Sequence, residues 1–152
     1  MFGVEWSIIN VRAQRPLQEI RRGIVARIIA IEDSPVLQRL IEIGMRGTGV
    51  EIESCLGGLD GLEAAFANPP DLLVLDLGLP DVSGWQVLER LRSEPSTSET
   101  PVVVTTGDSR TGVAERVAAL DAVLLVKPYS GAALQAEILS MIENRPVAQS
   151  LS

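Results

Sequence analysis

The chain has 152 residues, of which 46% are hydrophobic, and a formal net charge of -7, which predicts one compact domain with a full core and argues against direct binding of nucleic acid. Cys55 is the only cysteine and histidine is absent, so an internal disulfide, Ser-His or Cys-His catalysis and imidazole metal ligands are excluded. Because no apolar run approaches the roughly 20 residues that span a bilayer, we expect a cytoplasmic protein without a membrane segment.

Residues 1–25 differ from the remainder of the sequence. They combine the apolar stretch WSIINV with the basic stretch RAQRPLQEIRR, and Pro16 interrupts any single helix. We therefore predict an N-terminal extension over 1–25, one folded domain over 26–145 and a C-terminal tail over 146–152. The tail has little periodicity, so no output domain is expected after it.

Short apolar runs alternate with stretches of helical periodicity from Arg27 onward. The predicted strands are RIIAI (27–31), VEIE (50–53), DLLVLD (71–76), PVVVTT (101–106) and AVLLV (122–126). Strands that are apolar throughout indicate burial on both faces. The sequence therefore predicts a doubly wound α/β fold, with a five-stranded parallel sheet and helices on both faces.

Helices are predicted between these strands and after the last of them. Ser34 and Pro35 supply an N-cap and a first-turn proline for the first helix. Its apolar residues are predicted to lie largely on one face: Val36, Leu37, Leu40, Ile41 and Ile43. The second helix has Leu59, Leu62, Ala65 and Phe66 at similar spacing. SGWQVLERLRS, DSRTGVAERVAAL and SGAALQAEILSMIEN complete the series, and each begins with a serine or aspartate that can cap free amides.

Charged side chains follow three of the predicted strands. Glu32 and Asp33 come after the first, Asp76 ends the third and Lys127 follows the fifth. Ligands of such sheets bind outside the carboxyl ends of the strands, so we expect these groups to converge there. Neighbouring carboxylates repel unless a cation intervenes, and a set of oxygen ligands favours Mg2+ or Mn2+. Asp33 and Asp76 are the expected direct ligands, and Glu32 is expected to act through a bound water.

Asp76 is also placed to act as a nucleophile toward phosphorus, which would form an acyl phosphate. Lys127 and a hydroxyl from Thr105 or Thr106 would then neutralise phosphoryl oxygens. Side chains alternate along a strand, so only one of the two threonines can face Asp76, and strand geometry alone does not say which. Lys127 precedes Pro128, and a cis peptide bond there would fix the ammonium over the pocket.

These motifs resemble the receiver domain of two-component response regulators, from about Arg27 to Asn144. They are Glu32-Asp33, LLVLDLGLPDVSGWQVL around Asp76, PVVVTTG and VKPY. The resemblance implies a CheY-like, flavodoxin-like sheet of order 2-1-3-4-5 and phosphorylation of Asp76 by a sensor histidine kinase or phosphotransfer protein. It implies Mg2+ held by Glu32, Asp33, Asp76 and the Gly78 carbonyl, and it selects Thr106 over Thr105 beside Lys127.

The output implied by this resemblance is a change in contacts with a downstream protein target or in a homodimer. Three features depart from the family pattern. Gly78 replaces a larger polar residue, Leu124 replaces the aromatic switch residue, and LDAVLLVKP is one residue shorter before the lysine. Leu124 and the shorter loop support an alternative, a receiver-like scaffold that does not use phosphate. A phosphatase resembling haloacid dehalogenases ranks lower, because Gly78 occupies the position where that class needs its second acid.

Overall fold

A computed structural model describes residues 26–144, in which five strands alternate with five helices. The strands are β1 (Ala26–Ile31), β2 (Val50–Cys55), β3 (Leu72–Asp76), β4 (Val102–Thr106) and β5 (Val123–Val126). The helices are α1 (Pro35–Gly44), α2 (Gly58–Ala67), α3 (Gly84–Ser93), α4 (Val113–Ala119) and α5 (Gly131–Glu143). The predicted extension over 1–25 and the tail over 146–152 lie outside the described residues.

All five strands are parallel and lie in the order β2-β1-β3-β4-β5. This confirms the predicted doubly wound sheet and its order. In the register, Asp76 of β3 pairs with Thr105 of β4, and Thr106 pairs with Val126 of β5. The sheet therefore brings the carboxyl ends of β1, β3, β4 and β5 to one edge.

Two apolar layers cover the sheet, because successive strand side chains point to opposite faces. One layer contains Ile29, Ile31 and Leu75, and it packs against α2, α3 and α4. The other contains Ile28, Ala30 and Val74, and it packs against α1 and α5. The strands β1 and β3 are buried on both faces, as their unbroken apolar runs predict. The edge strand β2 instead exposes Glu51 and Glu53.

The predicted inward face of α1 is wrong in part. Ile41 is buried, but Val36 is 70% exposed, and Leu40 and Ile43 are also exposed. Gln38 takes an inward position and is only 4% exposed. The cause is a set of backbone carbonyls, those of Ala30, Glu32 and Cys55, which lie below the first turn of α1. The side-chain amide of Gln38 donates hydrogen bonds to them, whereas an apolar side chain would leave them without this donor.

Two other details of the helices differ from prediction. Leu59 of α2 is exposed, because its backbone lies at the first turn of the helix beside the loop of Asp81. Helix α4 begins only at Val113, with Gly112 and not Asp108 or Ser109 before it. Asp108 instead binds Arg110, and Gly112 adopts a φ of 101°, which ends the loop. The serine caps of α1, α3 and α5 are confirmed: Ser34, Ser83 and Ser130.

Candidate functional site

Four of the predicted site residues meet at the carboxyl edge of the sheet. Glu32 and Asp33 follow β1, Asp76 ends the adjacent β3, and Lys127 follows β5. Carboxylate oxygens of Glu32, Asp33 and Asp76 all lie within 4.8 Å of one another. Parallel strands produce this arrangement directly, because residues distant in sequence end at the same edge.

Lys127 forms ion pairs with the two buried carboxylates. Its Nζ lies 3.0 Å from Glu32 Oε1 and 3.3 Å from Asp76 Oδ1. Glu32 is 2% exposed and Asp76 is 4% exposed, whereas Asp33 faces solvent. Burial weakens solvent screening, so the lysine stabilises these charges more than a surface lysine would. The three side chains form one coupled electrostatic unit.

The unit shifts the pKa values of its two buried carboxyl groups in opposite directions. Burial, together with Asp76, raises the pKa of Glu32 to about 7, although Lys127 acts against this. Burial alone would also raise the pKa of Asp76, but the neighbouring Glu32 carboxyl, the hydrogen bond from the Gly78 amide and the Lys127 ammonium outweigh it and lower this pKa. Asp76 therefore remains ionised at neutral pH and is available as a nucleophile.

The donor set fits a hard divalent cation. Three carboxylates converge, and Glu32 Oε2 is buried without a hydrogen-bond partner among the described residues. A buried acceptor of this kind calls for a donor, a water or a cation. Oxygen ligands at this density are the preferred environment of Mg2+, which commonly binds one or two carboxylates and retains several waters.

The remaining predicted residues lie beside this cluster. The Gly78 amide donates to Asp76 Oδ1 at 3.1 Å, so the chain after β3 folds back over the carboxylate. Thr106 ends β4, and its Oγ1 accepts a hydrogen bond from the Asp108 amide at 3.0 Å. By strand alternation Thr105, not Thr106, shares a sheet face with Asp76. The role of Thr106, and not Thr105, as the hydroxyl that binds a phosphoryl oxygen stays a prediction. The Lys127-Pro128 peptide bond is cis, as expected.

Sequence reasoning missed Asp81, which supports the loop after Asp76. Its carboxylate accepts hydrogen bonds from the amides of Gly58 at 2.9 Å and Leu59 at 3.0 Å. Helix α2 has no side-chain cap of its own, so Asp81 caps it from another loop. These hydrogen bonds lower the pKa of the Asp81 carboxyl. The separation of more than twenty residues left no local signal for this contact.

The fold and this edge define a doubly wound α/β domain with an acidic cluster paired with one lysine. The model of the response regulator receiver domain family matches residues 28–139. The chain belongs to this family. Receiver domains accept phosphoryl groups from histidine kinases, bind Mg2+ at an acidic site and act as switches, not as enzymes in the ordinary sense.

One curated relative and two solved structures of the same fold are similar to the chain. The transcriptional regulatory protein HprR of Escherichia coli is 34% identical over 119 residues, which cover 76% of this chain and 51% of HprR. The chemotaxis protein CheY4 of Vibrio cholerae superposes with a TM-score of 0.70 at 21% identity, over 76% of this chain and 98% of that chain. The receiver domain of the sensor histidine kinase PA1611 of Pseudomonas aeruginosa, whose active-site cleft coordinates a magnesium ion, superposes with a TM-score of 0.69 at 24% identity, over 78% of this chain and 98% of that chain.

The chain is short beside its curated relatives. It spans 33% to 54% of the length of the first three that it matches, some of which are named as transcriptional regulators. It spans almost all of CheY4. The expectation that this chain makes no direct contact with nucleic acid stays a prediction. No helix within 26–144 has the length and apolar character needed to cross a membrane.

Glu32→Gln should stabilise the metal-free protein by about 1–2 kcal/mol at about pH 8, as measured by urea unfolding in EDTA. The folded pKa of Glu32 is about 7, above its ordinary 4.5, so the folded state binds this proton more tightly than the unfolded state. Wild-type stability therefore falls as pH rises from about 4.5 to about 7. Glutamine has no such dependence, and Lys127, which lowers the pKa of Glu32, keeps the gain below what burial alone would give.

The difference between Glu32→Gln and wild type should therefore be small at about pH 5 and complete at about pH 8. Glu63→Gln, which alters an exposed glutamate on α2, is the matched control and should show no pH-dependent difference. A gain for Glu32→Gln that is the same at both pH values would contradict the pKa of Glu32.

Proposed function

We propose that this receiver domain accepts a phosphoryl group on Asp76 from a sensor histidine kinase or a phosphotransfer protein. The observation that carries the proposal is the pairing of a buried, ionised Asp76 with Lys127 at 3.3 Å beside two further carboxylates. We place this reaction in the cytoplasm, where Mg2+ and phosphorylated kinase domains are both available.

The transfer is a displacement at phosphorus. An oxygen of Asp76 forms the new bond to phosphorus while the bond from phosphorus to the donor histidine nitrogen breaks. That nitrogen keeps the electron pair and takes a proton from solvent. The lowered pKa of Asp76 supports this role, because only the carboxylate form is nucleophilic.

Each surrounding group has a separate task in this proposal. Lys127 neutralises one phosphoryl oxygen, and the hydroxyl of Thr106 binds another. Asp33, Asp76 and the Gly78 carbonyl would hold Mg2+ directly, with Glu32 acting through a water. The bound ion would supply positive charge to a further phosphoryl oxygen. Because Gly78 has no side chain, water can reach the acyl phosphate, so the domain would also dephosphorylate itself.

The output of the proposed switch is a change in protein contacts. Phosphorylation would shift a balance between two conformations and alter the surface around α4 and α5. A downstream protein or a second copy of the chain would bind that surface. In this role the chain works as a receiver module that transmits its signal by contact.

Acetyl phosphate tests the chemistry without a cognate kinase. With Mg2+ present, the wild type should gain the mass of one phosphoryl group, and Asp76→Asn should gain none. Asp60→Asn, which alters an exposed aspartate of α2, should be labelled like the wild type, and EDTA should prevent labelling. Equal labelling of wild type and Asp76→Asn would reject Asp76 as the acceptor.

Beryllofluoride separates the switch from the alternative scaffold. It mimics a bound phosphoryl group, so a switch should change its dimerisation or its affinity for a partner when beryllofluoride is added. The observation that favours the scaffold is the half-buried Leu124, an aliphatic residue that packs against the core where the resemblance implies an aromatic switch residue. An unchanged association in beryllofluoride would favour the scaffold.

A further inference from the structure

A buried amide lies directly below the turn that carries Glu32 and Asp33. Gln38 is in the first turn of α1, and its Nε2 lies 2.8 Å from the Ala30 carbonyl oxygen, 3.2 Å from that of Glu32 and 3.1 Å from that of Cys55. One side chain therefore joins α1 to the carboxyl ends of both β1 and β2.

These contacts enclose the turn from the core side. The Glu32 amide donates to the Cys55 carbonyl at 3.0 Å, next to the Gln38 amide on the same oxygen. The backbone N–H of Gln38 donates to the Ser34 carbonyl at 2.9 Å, an ordinary i to i−4 bond of α1 that any residue here would make. What is particular to glutamine is the contact of its side-chain amide with the carbonyls of β1, Glu32 and β2 on the core side.

Packing alone does not explain a glutamine at this position. The neighbouring inward residues, Ile41 of α1 and Met45 directly after it, are apolar and buried. Gln38 Oε1 is buried and has no hydrogen-bond partner among the described residues, which is unfavourable for stability. The side chain therefore leaves one buried oxygen without a hydrogen bond, while its N–H groups donate to the carbonyls of the turn.

We propose that Gln38 is a positioning residue for the divalent cation site, acting by fixing the backbone from which Glu32 and Asp33 project. The inference rests on the proposed function, because it assumes that these carboxylates bind Mg2+. Groups that orient metal ligands without touching the metal commonly change affinity by about 10-fold to 100-fold when they are removed. Gln38 reaches the turn through the carbonyl of Glu32 itself.

Mg2+ titration by calorimetry tests this role. Gln38→Met preserves the side-chain volume but removes both N–H donors, and we expect it to weaken Mg2+ binding by about tenfold. Ile41→Val, on the same inner face of α1, is the control for a general loss of packing, and its Mg2+ affinity should stay within about twofold of wild type. Gln38→Asn, which keeps the amide but shortens its reach, gives a second and smaller expected loss if Gln38→Met does not fold.

The outcomes separate this inference from the proposed function. If the wild type binds Mg2+ and the Gln38 variants bind it with the same affinity, the positioning role alone is overturned. An equal loss of affinity in Ile41→Val would also overturn it, because the effect would then follow from stability. Wild type that binds no Mg2+ would overturn the metal dependence in the proposed function and the positioning role with it.

Discussion

Gly84→Ala should destabilise the domain by about 3 kcal/mol. A Cβ at Gly84 would lie 2.6 Å from the Asp76 carbonyl oxygen and would overlap the Cα of Leu77. Both contacts are with backbone, so no side-chain rotation relieves them. Because Gly84 is buried at the start of α3, the helix or the end of β3 must move.

Chemical unfolding of Gly84→Ala and Gly107→Ala measures this effect. The second variant is a matched control, because a Cβ at Gly107 meets nothing within 4 Å and the residue is exposed. Its stability should stay within about 1 kcal/mol of wild type. Since Gly84 contacts the backbone of Asp76, its alanine variant should also bind Mg2+ more weakly. A loss below about 1 kcal/mol for Gly84→Ala would show that the end of β3 can yield.

Arg92→Met should destabilise the domain by about 2–4 kcal/mol. The guanidinium of Arg92 donates to five backbone carbonyls from two separate loops. The oxygens belong to Thr97, Ser98, Thr100, Leu120 and Asp121, at 2.8 to 3.4 Å. One side chain therefore holds the α3–β4 loop against the turn between α4 and β5. Burial lowers the pKa of Arg92, but arginine keeps its charge in proteins.

Thermal and urea unfolding should distinguish Arg92→Met from Arg90→Met on the same helix. The Arg90 guanidinium lies 5.7 Å from the centre of the Phe66 ring at an exposed position. Arg90→Met should therefore lower the free energy of unfolding by less than about 1 kcal/mol. The stability of Arg92→Lys should lie between the stabilities of these two variants. An ammonium keeps the charge but lacks the planar guanidinium that reaches both loops. Equal effects of Arg90→Met and Arg92→Met would contradict the role of this hydrogen-bond network.

The sheet and its strand positions could be predicted because their signals are local and strong. Unbroken apolar runs such as RIIAI and LLVL indicate strands buried on both faces, and the structure places β1 and β3 at the centre. The convergence of Glu32, Asp33, Asp76 and Lys127 follows from that fold, because each residue ends or follows a strand at the same edge.

The contacts that hold the site in place could not be predicted in the same way. Counting apolar residues assigns Gln38 to solvent and Val36 to the core, whereas the structure reverses both. The reason is a set of carbonyls from β1 and β2 whose position depends on the folded sheet. Asp81 and Arg92 likewise satisfy backbone groups that are distant in sequence. Such partners become identifiable only once the three-dimensional arrangement is known.

The interaction between Arg116 and Trp85 links α4 to α3, the helix that follows the Asp76 loop. The Arg116 guanidinium lies 4.0 Å from the centre of the Trp85 ring and pairs with Glu89 at 3.0 Å. Helix α4 has only seven residues, so contacts of this kind contribute to fixing its position against α3. Leu124 of β5 packs in the same layer. Any displacement of α4 in the proposed switch must therefore alter the surroundings of Trp85.

Location of the phosphoryl group tests the central claim most directly. The protein would be treated with acetyl phosphate and Mg2+, reduced with borohydride to convert an acyl phosphate to a stable alcohol, and digested for peptide mass spectrometry. We expect the reduced residue to be Asp76, and we expect no reduction product in Asp76→Asn or when Mg2+ is removed with EDTA. A product at another carboxylate, or none in the wild type, would contradict a receiver that accepts phosphate on Asp76.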